Sequence, residues 1–182
     1  NCLAPVAKVL QENFGIVKGT MTTVHSYTND QQILDLPHKD RRRARAAALN
    51  IVPTSSGASD AVAGIIPELA GKFDGIAFRV PTPTVSLLDL VTNLRDKPSE
   101  GAINEAYMAA ASGPLQGYLF YEKDELVSMD FKGHPGSAIH DAASTMVLDG
   151  GMAKTIAWYD NEWGYSCRLT DVVAMLAERG LE

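Results

Sequence analysis

The sequence predicts an α+β fold: a mixed, mostly antiparallel sheet covered by helices, with a long structured loop and a C-terminal helix. Three observations lead to it. Several strand-like segments succeed one another without alternating helices, unlike a parallel βαβ array. Segments with helical apolar spacing stand near both ends of the chain. Between them, residues 25–53 show poor periodicity of either kind, and structured loops of that length in a compact domain tend to be functional.

The elements follow in order. Leu3, Val6, Ala7, Leu10 and Phe14 mark one face of a first helix, which Gly15 breaks. Residues 16–24 are β-branched and read as a strand. After Ser59, the apolar positions Ala61, Val62, Ile65, Ile66 and Leu69 predict a helix ended by Gly71. Pro67 should shorten or kink its last turn, since proline lacks the N–H and clashes with the preceding turn. Further strands are predicted at 76–80, 85–92, 118–121, 126–129 and 155–159. A helix is predicted over 99–111, with start signals in Asp96, Pro98 and Ser99. A terminal helix carries Tyr165, Leu169, Val172, Val173 and Leu176, and Gly180 closes it.

Composition narrows the function classes. The 182 residues are 46% hydrophobic and 21% charged, ordinary values for a globular chain long enough to bury a core. A net charge of −6 disfavours nucleic acid or an anionic membrane as the main partner. No apolar run approaches a membrane span, and no signal peptide is visible. Cys2 and Cys167 are too few for a disulfide framework, so a cytoplasmic setting is expected. The chain opens on Asn1 and runs straight into a helical pattern, which reads as a sequence whose N-terminal portion is missing.

Several residues are candidates for chemistry. His25 ends the first strand and is followed by Ser26, Tyr27, Thr28, Asn29 and Asp30. A strand end opening into a loop suits a catalytic group, and it equally suits a histidine that merely caps the strand. Lys39, Arg41, Arg42, Arg43 and Arg45 form a basic run. It reads as a solvated face or, through an arginine's planar fork, as a grip on a small phosphate. Interleaved aromatics are missing, which discounts nucleic acid. Thr54-Ser55-Ser56-Gly57 leads into a helix, as a simple cap or as an anion site. Arg79 lies among apolar neighbours before Pro81 and needs a partner, either a carboxylate or a ligand phosphate. Asn161, Trp163 and Tyr165 form a polar-aromatic cluster that capping and packing would also explain.

Together the segments resemble the phosphorylating glyceraldehyde-3-phosphate dehydrogenase family, in the family's order and over the whole chain. Asn1-Cys2-Leu3-Ala4-Pro5-Val6 resembles the end of its Ser-Cys-Thr-Thr-Asn-Cys-Leu-Ala-Pro signature. Residues 25–31, His-Ser-Tyr-Thr-Asn-Asp-Gln, are similar to its catalytic histidine motif. Residues 42–47, 53–58 and 79–83 resemble its phosphate-binding parts, and residues 158–166 its C-terminal signature.

The resemblance implies roles. The chain would be the C-terminal catalytic and substrate-binding domain, residues 1–182, with a terminal helix over 166–182. The NAD-binding Rossmann domain would lie outside it, and the nucleophilic cysteine three residues before Asn1. His25 would activate that thiol. Thr28 and Arg79 would hold the substrate phosphate, with Asp30 orienting the site. Ser56 and the Gly57 backbone would meet the attacking inorganic phosphate, and Arg43 would reach one or both sites. Asn161 would bond the nicotinamide carboxamide of NAD, and Tyr165 would pack beside the ring. Leu36-Pro37 resembles the pair in NAD-preferring members. The loop, roughly residues 27–52, would line a neighbouring subunit's cofactor cleft, which implies a homotetramer in glycolysis. Cys2 resembles the second, non-essential cysteine of the signature. Ser56 stands where threonine is commoner, Thr84 where asparagine is usual and Arg41 where leucine is usual. Two rival readings remain at this point: an erythrose-4-phosphate dehydrogenase on the same frame, and a non-catalytic interaction module.

Overall fold

In the computed structural model, which describes residues 1–180, seven strands form one open sheet in the order β2-β3-β1-β4-β7-β6-β5. The strands are β1 Ile16–Ser26, β2 Val52–Ser55, β3 Phe73–Val80, β4 Ser86–Leu94, β5 Leu119–Glu122, β6 Ala138–Leu148 and β7 Met152–Tyr159. The helices are α1 Leu3–Phe14, α2 Ala58–Ile65, α3 Glu100–Ser112 and α4 Trp163–Arg179. The pairs β1–β3 and β5–β6 are parallel and the other neighbours antiparallel, so the sheet is mixed and mostly antiparallel, as expected.

The core lies between one face of this sheet and α1, α2 and α3. In β4 the alternation is regular: Ser86, Leu88, Leu90, Thr92 and Leu94 are buried, while the residues between them are partly exposed. That period of two sets the strand's register, because a one-residue slip would turn every apolar side chain to the other face. Above it α1 buries Leu3, Val6, Ala7, Val9 and Leu10. Gly15 ends α1 at φ +67°, and the Arg95 guanidinium occupies the space a side chain there would need. In α3, Ser99 caps the helix by accepting a hydrogen bond from the Ala102 N–H, and Tyr107 is fully buried with its hydroxyl bonded to the Val6 carbonyl at 3.0 Å.

The structure departs from the expected elements in three places. Residues 126–129 are not a strand. A tight turn holds them instead, with the Val127 N–H bonded to Asp130 Oδ2 at 2.8 Å, and a 3-10 helix follows at Ser128–Phe131. The long strand β6 escapes the sequence pattern because its ladder shifts register between Asp141 and Met146, which destroys simple alternation. The short strand β2 is the third, and it contains Pro53. Proline is tolerated there because β2 is an edge strand. Pro67 acts as expected: α2 stops at Ile65 and a 3-10 turn, Pro67–Leu69, follows.

Candidate active site at the strand ends

The ends of β1, β3, β4 and β7 bring the polar groups together. His25 on β1 is the direct register partner of Arg79 on β3. Arg79 Nη1 lies 3.0 Å from His25 Nδ1, 3.1 Å from the Ser26 carbonyl and 3.3 Å from the Thr28 hydroxyl. His25 Nδ1 is also 2.7 Å from the Ser26 carbonyl. A carbonyl can only accept, so this shorter contact puts the ring proton on Nδ1 and leaves the lone pair on Nε2. Arg79 then donates to the carbonyl and the hydroxyl. Burial lowers the His25 pKa from its ordinary value; the Ser26 carbonyl opposes this and the Arg79 charge adds to it. His25 is thus a neutral imidazole with a basic Nε2 near pH 7.

The arginines are incompletely satisfied. Nε of Arg79 and Nε of Arg43 are buried donors without a hydrogen-bond partner among the described residues. Arg43 is ion-paired with Asp30 and lies 3.5 Å from the Asp40 carboxylate. Its charge helps depress the Arg79 pKa, after the larger effect of burial, so both cations face the same region. Arg79, which has an idle donor and no carboxylate partner among the described residues, calls for an anion. Elsewhere in the basic run Arg45 pairs with Asp35 at 3.1 Å, while Arg41 and Arg42 are exposed.

Asn161 and Tyr165 join His25, Asn1, Ser137, Tyr159, Asp160 and Gly164 around a cavity of about 140 Å³. The Asn161 Oδ1 accepts from the Ser26 hydroxyl at 2.9 Å and from the Ser86 hydroxyl at 3.0 Å. Asp160, not Asn161, caps α4: its Oδ1 accepts from the N–H groups of Glu162 and Trp163, and its Oδ2 from Gly133. Gly164 permits the close approach of this helix, since a side chain there would meet the Gly136 carbonyl at 2.7 Å. Ser56 and Gly57 sit apart from Arg79. The ladder pairs Ser55 with Ile76, three residues before Arg79, a separation of about 10 Å. Ser56 Oγ accepts only the Ala58 N–H at 3.3 Å among the described residues. The start of α2 lines a second cavity of about 150 Å³ with Asn1, Cys2 and Tyr159, and so adjoins the His25 cavity through Asn1 and Tyr159.

Leu36 and Pro37 do not line the cavity that Asn161 lines. They are exposed, and Leu36 lines a separate cavity of about 780 Å³ with Tyr27, Thr28, Gln31, Ile33 and Pro83. Cys2 is buried, and burial pushes its thiol up to about 12. Sequence reading assigned no part to Ser86 or Tyr159. Ser86 lies 60 residues from Ser26 and 75 from Asn161, and only strand pairing makes them neighbours.

A family model described as "Glyceraldehyde 3-phosphate dehydrogenase, C-terminal domain" matches residues 1–161. Among curated proteins, the glyceraldehyde-3-phosphate dehydrogenase of Geobacillus stearothermophilus is 59% identical over 181 residues, covering 100% of this chain and 54% of that protein. Glyceraldehyde-3-phosphate dehydrogenase 1 of Bacillus subtilis matches at the same identity and coverage. Glyceraldehyde-3-phosphate dehydrogenase 2 of Streptomyces avermitilis is 56% identical over 179 residues, 98% of this chain and 53% of that protein. The chain therefore spans about half the length of the curated relatives it matches.

Proposed function

The chain belongs to the glyceraldehyde-3-phosphate dehydrogenase family, and on that footing we propose that it is the catalytic and substrate-binding half of the enzyme. The reaction is oxidation of glyceraldehyde 3-phosphate with NAD and inorganic phosphate to 1,3-bisphosphoglycerate, through a thioester on a cysteine three residues before Asn1. The observation that carries this reading is the pairing of His25 with Arg79. It sets a neutral imidazole beside a cation that keeps a buried, idle donor. A base for a thiol and a seat for a phosphate thus stand one residue's width apart.

His25 Nε2 accepts the thiol proton as sulfur bonds the aldehyde carbon, gives it to the resulting oxyanion, and takes the hydroxyl proton back as the hemithioacetal carbon loses hydride to become the thioester. Arg79 and Thr28 hold the substrate phosphate, with Arg43 adding its fork once Asp30 yields it. Ser56 and the N–H of Gly57 receive inorganic phosphate across the wall shared with the second cavity. The residues present fit NAD. Asn161 turns its oxygen inward and leaves an N–H pair for a carboxamide, while Tyr165, on the rim of the same cavity, offers a face to a flat ring. NAD, when bound, supplies the hydride acceptor. Apolar Leu36 and Pro37 offer no polar group for an extra phosphate, which favours NAD over its phosphorylated form.

The assembly we propose is a cytoplasmic homotetramer. Among the described residues no helix is long and apolar enough to cross a membrane. The loop that would line a neighbour's cleft exposes Ile33 at 85% and Leu34 at 66%, apolar surface that a neighbouring subunit would cover. The test is His25→Asn in the full-length protein. Turnover should fall by roughly two to four powers of ten, the range for losing a general base. A rate within a factor of a few of the parent's would remove His25 from this role.

A further inference from the structure

We propose that Ser26 and Ser86 are positioning residues: their hydroxyls lock the Asn161 amide with its oxygen turned away from the His25 cavity, so that Asn161 presents its N–H pair there to a ring-bound carbonyl. This rests on the functional reading above and adds to it the residues that set the polarity of recognition.

Two ladders bring the groups together. β1 pairs with β4 as far as Val24 and Leu87, so Ser26 reaches the start of β4. β4 pairs with β7 with Ser86 opposite Tyr159, two residues before Asn161. Ser26 and Ser86 are 0% and 1% exposed, so each hydroxyl must find its partners inside the protein. The Ser26 backbone N–H donates to Ser86 Oγ at 3.2 Å. The Ser86 hydroxyl, already accepting, directs its proton to Asn161 Oδ1, and the Ser26 hydroxyl does the same. An amide oxygen has two lone pairs, and both are now filled. Reversing the amide would aim N–H groups at both hydroxyls and take the acceptor from each of their protons. The amide is therefore held one way round, with its nitrogen left for the cavity. That nitrogen donates no hydrogen bond among the described residues.

The surrounding backbone is held firmly enough to sustain this. Val85, between Thr84 and Ser86, is a buried β-branched residue at φ +64°, a conformation such residues avoid. Strain of this kind persists only where neighbouring contacts over-determine the geometry. Here the Thr84 hydroxyl bonds Asp160 at 3.4 Å, and Val85 packs with Phe131 and Ile139. The segments 84–86 and 160–161 are thus tied together twice, Thr84 to Asp160 and Ser86 to Asn161. A cavity set up this way prefers a strong carbonyl acceptor to a weak one such as a thiocarbonyl.

The experiment uses the full-length enzyme and measures dissociation constants for NAD and its thionicotinamide analogue by fluorescence titration. The preference for NAD should shrink by about two- to tenfold in Ser26→Ala and in Ser86→Ala, the worth of one orienting neutral hydrogen bond. Ser86→Thr, which keeps the hydroxyl, should retain the parent preference. In an Asn161→Ala background the serine substitutions should change the ratio no further, because they act through that amide. Should Ser86→Ala fail to fold, Ser26→Ala carries the same test. An unchanged ratio in the folded alanine variants overturns the proposal, as does an equal shift without Asn161. A parent enzyme that binds neither dinucleotide overturns the functional reading itself and this proposal with it.

Discussion

His25 and Arg79 stand opposite each other on parallel β1 and β3 and converge on one acceptor, the Ser26 carbonyl, at 2.7 and 3.1 Å. The shared carbonyl fixes the imidazole tautomer and the arginine fork at once. Altering one residue therefore changes the other's electrostatics.

Arg79→Leu in the full-length enzyme should weaken use of glyceraldehyde 3-phosphate by roughly ten- to a hundredfold relative to unphosphorylated glyceraldehyde, the worth of a charge-assisted hydrogen bond. It should also raise the His25 pKa, because a nearby positive charge that helped lower it is gone. The acid limb of the rate profile then moves to higher pH. Equal losses with both aldehydes would mean that Arg79 is only structural.

The two thiols should differ in reactivity. With a pKa near 12, Cys2 is a thiolate in only about one molecule in ten thousand at pH 8, and it is buried as well. Iodoacetamide should label the partly exposed Cys167 in the native 182-residue chain, and Cys2 only after denaturation. The same chain should form no NADH from glyceraldehyde 3-phosphate and phosphate, since neither thiol fits the nucleophile. Rapid native labelling of Cys2 by mass spectrometry would contradict both statements.

His140 makes the fold sensitive to acid. It is fully buried, stacked on Tyr107 at 3.9 Å, and bonded through Nε2 to Asn104 at 2.9 Å. Burial lowers its pKa from 6.5 to about 4, against the opposing charge of Asp141. The unfolded chain takes up this proton at higher pH than the folded one, so stability falls as pH drops below 6.5. The loss should reach about 3 kcal/mol at pH 4. Burial lowers the pKa of His25 and His134 in the same direction. Urea unfolding of His140→Gln at pH 7, 5.5 and 4.5 should show a flatter decline than the parent. Parallel curves would place the acid sensitivity elsewhere.

Asp160 holds the start of α4, and through it Tyr165. Asp160→Ala removes the helix cap and orphans the Gly133 N–H, which should cost about 1–3 kcal/mol. Burial alone would raise the carboxyl's pKa, but the N–H donors of Gly133, Trp163 and Glu162 and the Thr84 hydroxyl together lower it below the usual value. That stabilisation is complete above the unfolded pKa, near 3.8, and is lost as pH falls through the folded value. Thermal melts at pH 7 and pH 3 measure it. The gap between parent and variant should narrow at the lower pH.

The family is written in local runs of sequence: residues 25–31, 53–58, 79–83 and 158–166 each announce themselves without coordinates. The helices and most strands were equally legible, because apolar spacing is a local property. Strand β6 was not, since a register irregularity erases alternation, and β2 was too short to show any. For the candidate site, sequence determined which chemical groups are available: an imidazole, two arginines, an amide and hydroxyls. It left open whether His25 only caps a strand and what Arg79 pairs with. Both depend on β1 lying beside β3, residues 54 apart in the chain. Nor could sequence assign Ser26 and Ser86 their parts, because a hydroxyl's partner is decided by what strand pairing carries to within 3 Å of it. Only tertiary structure supplies the burial and the Arg79 charge that lower the His25 pKa, because both come from groups distant in sequence and adjacent in space.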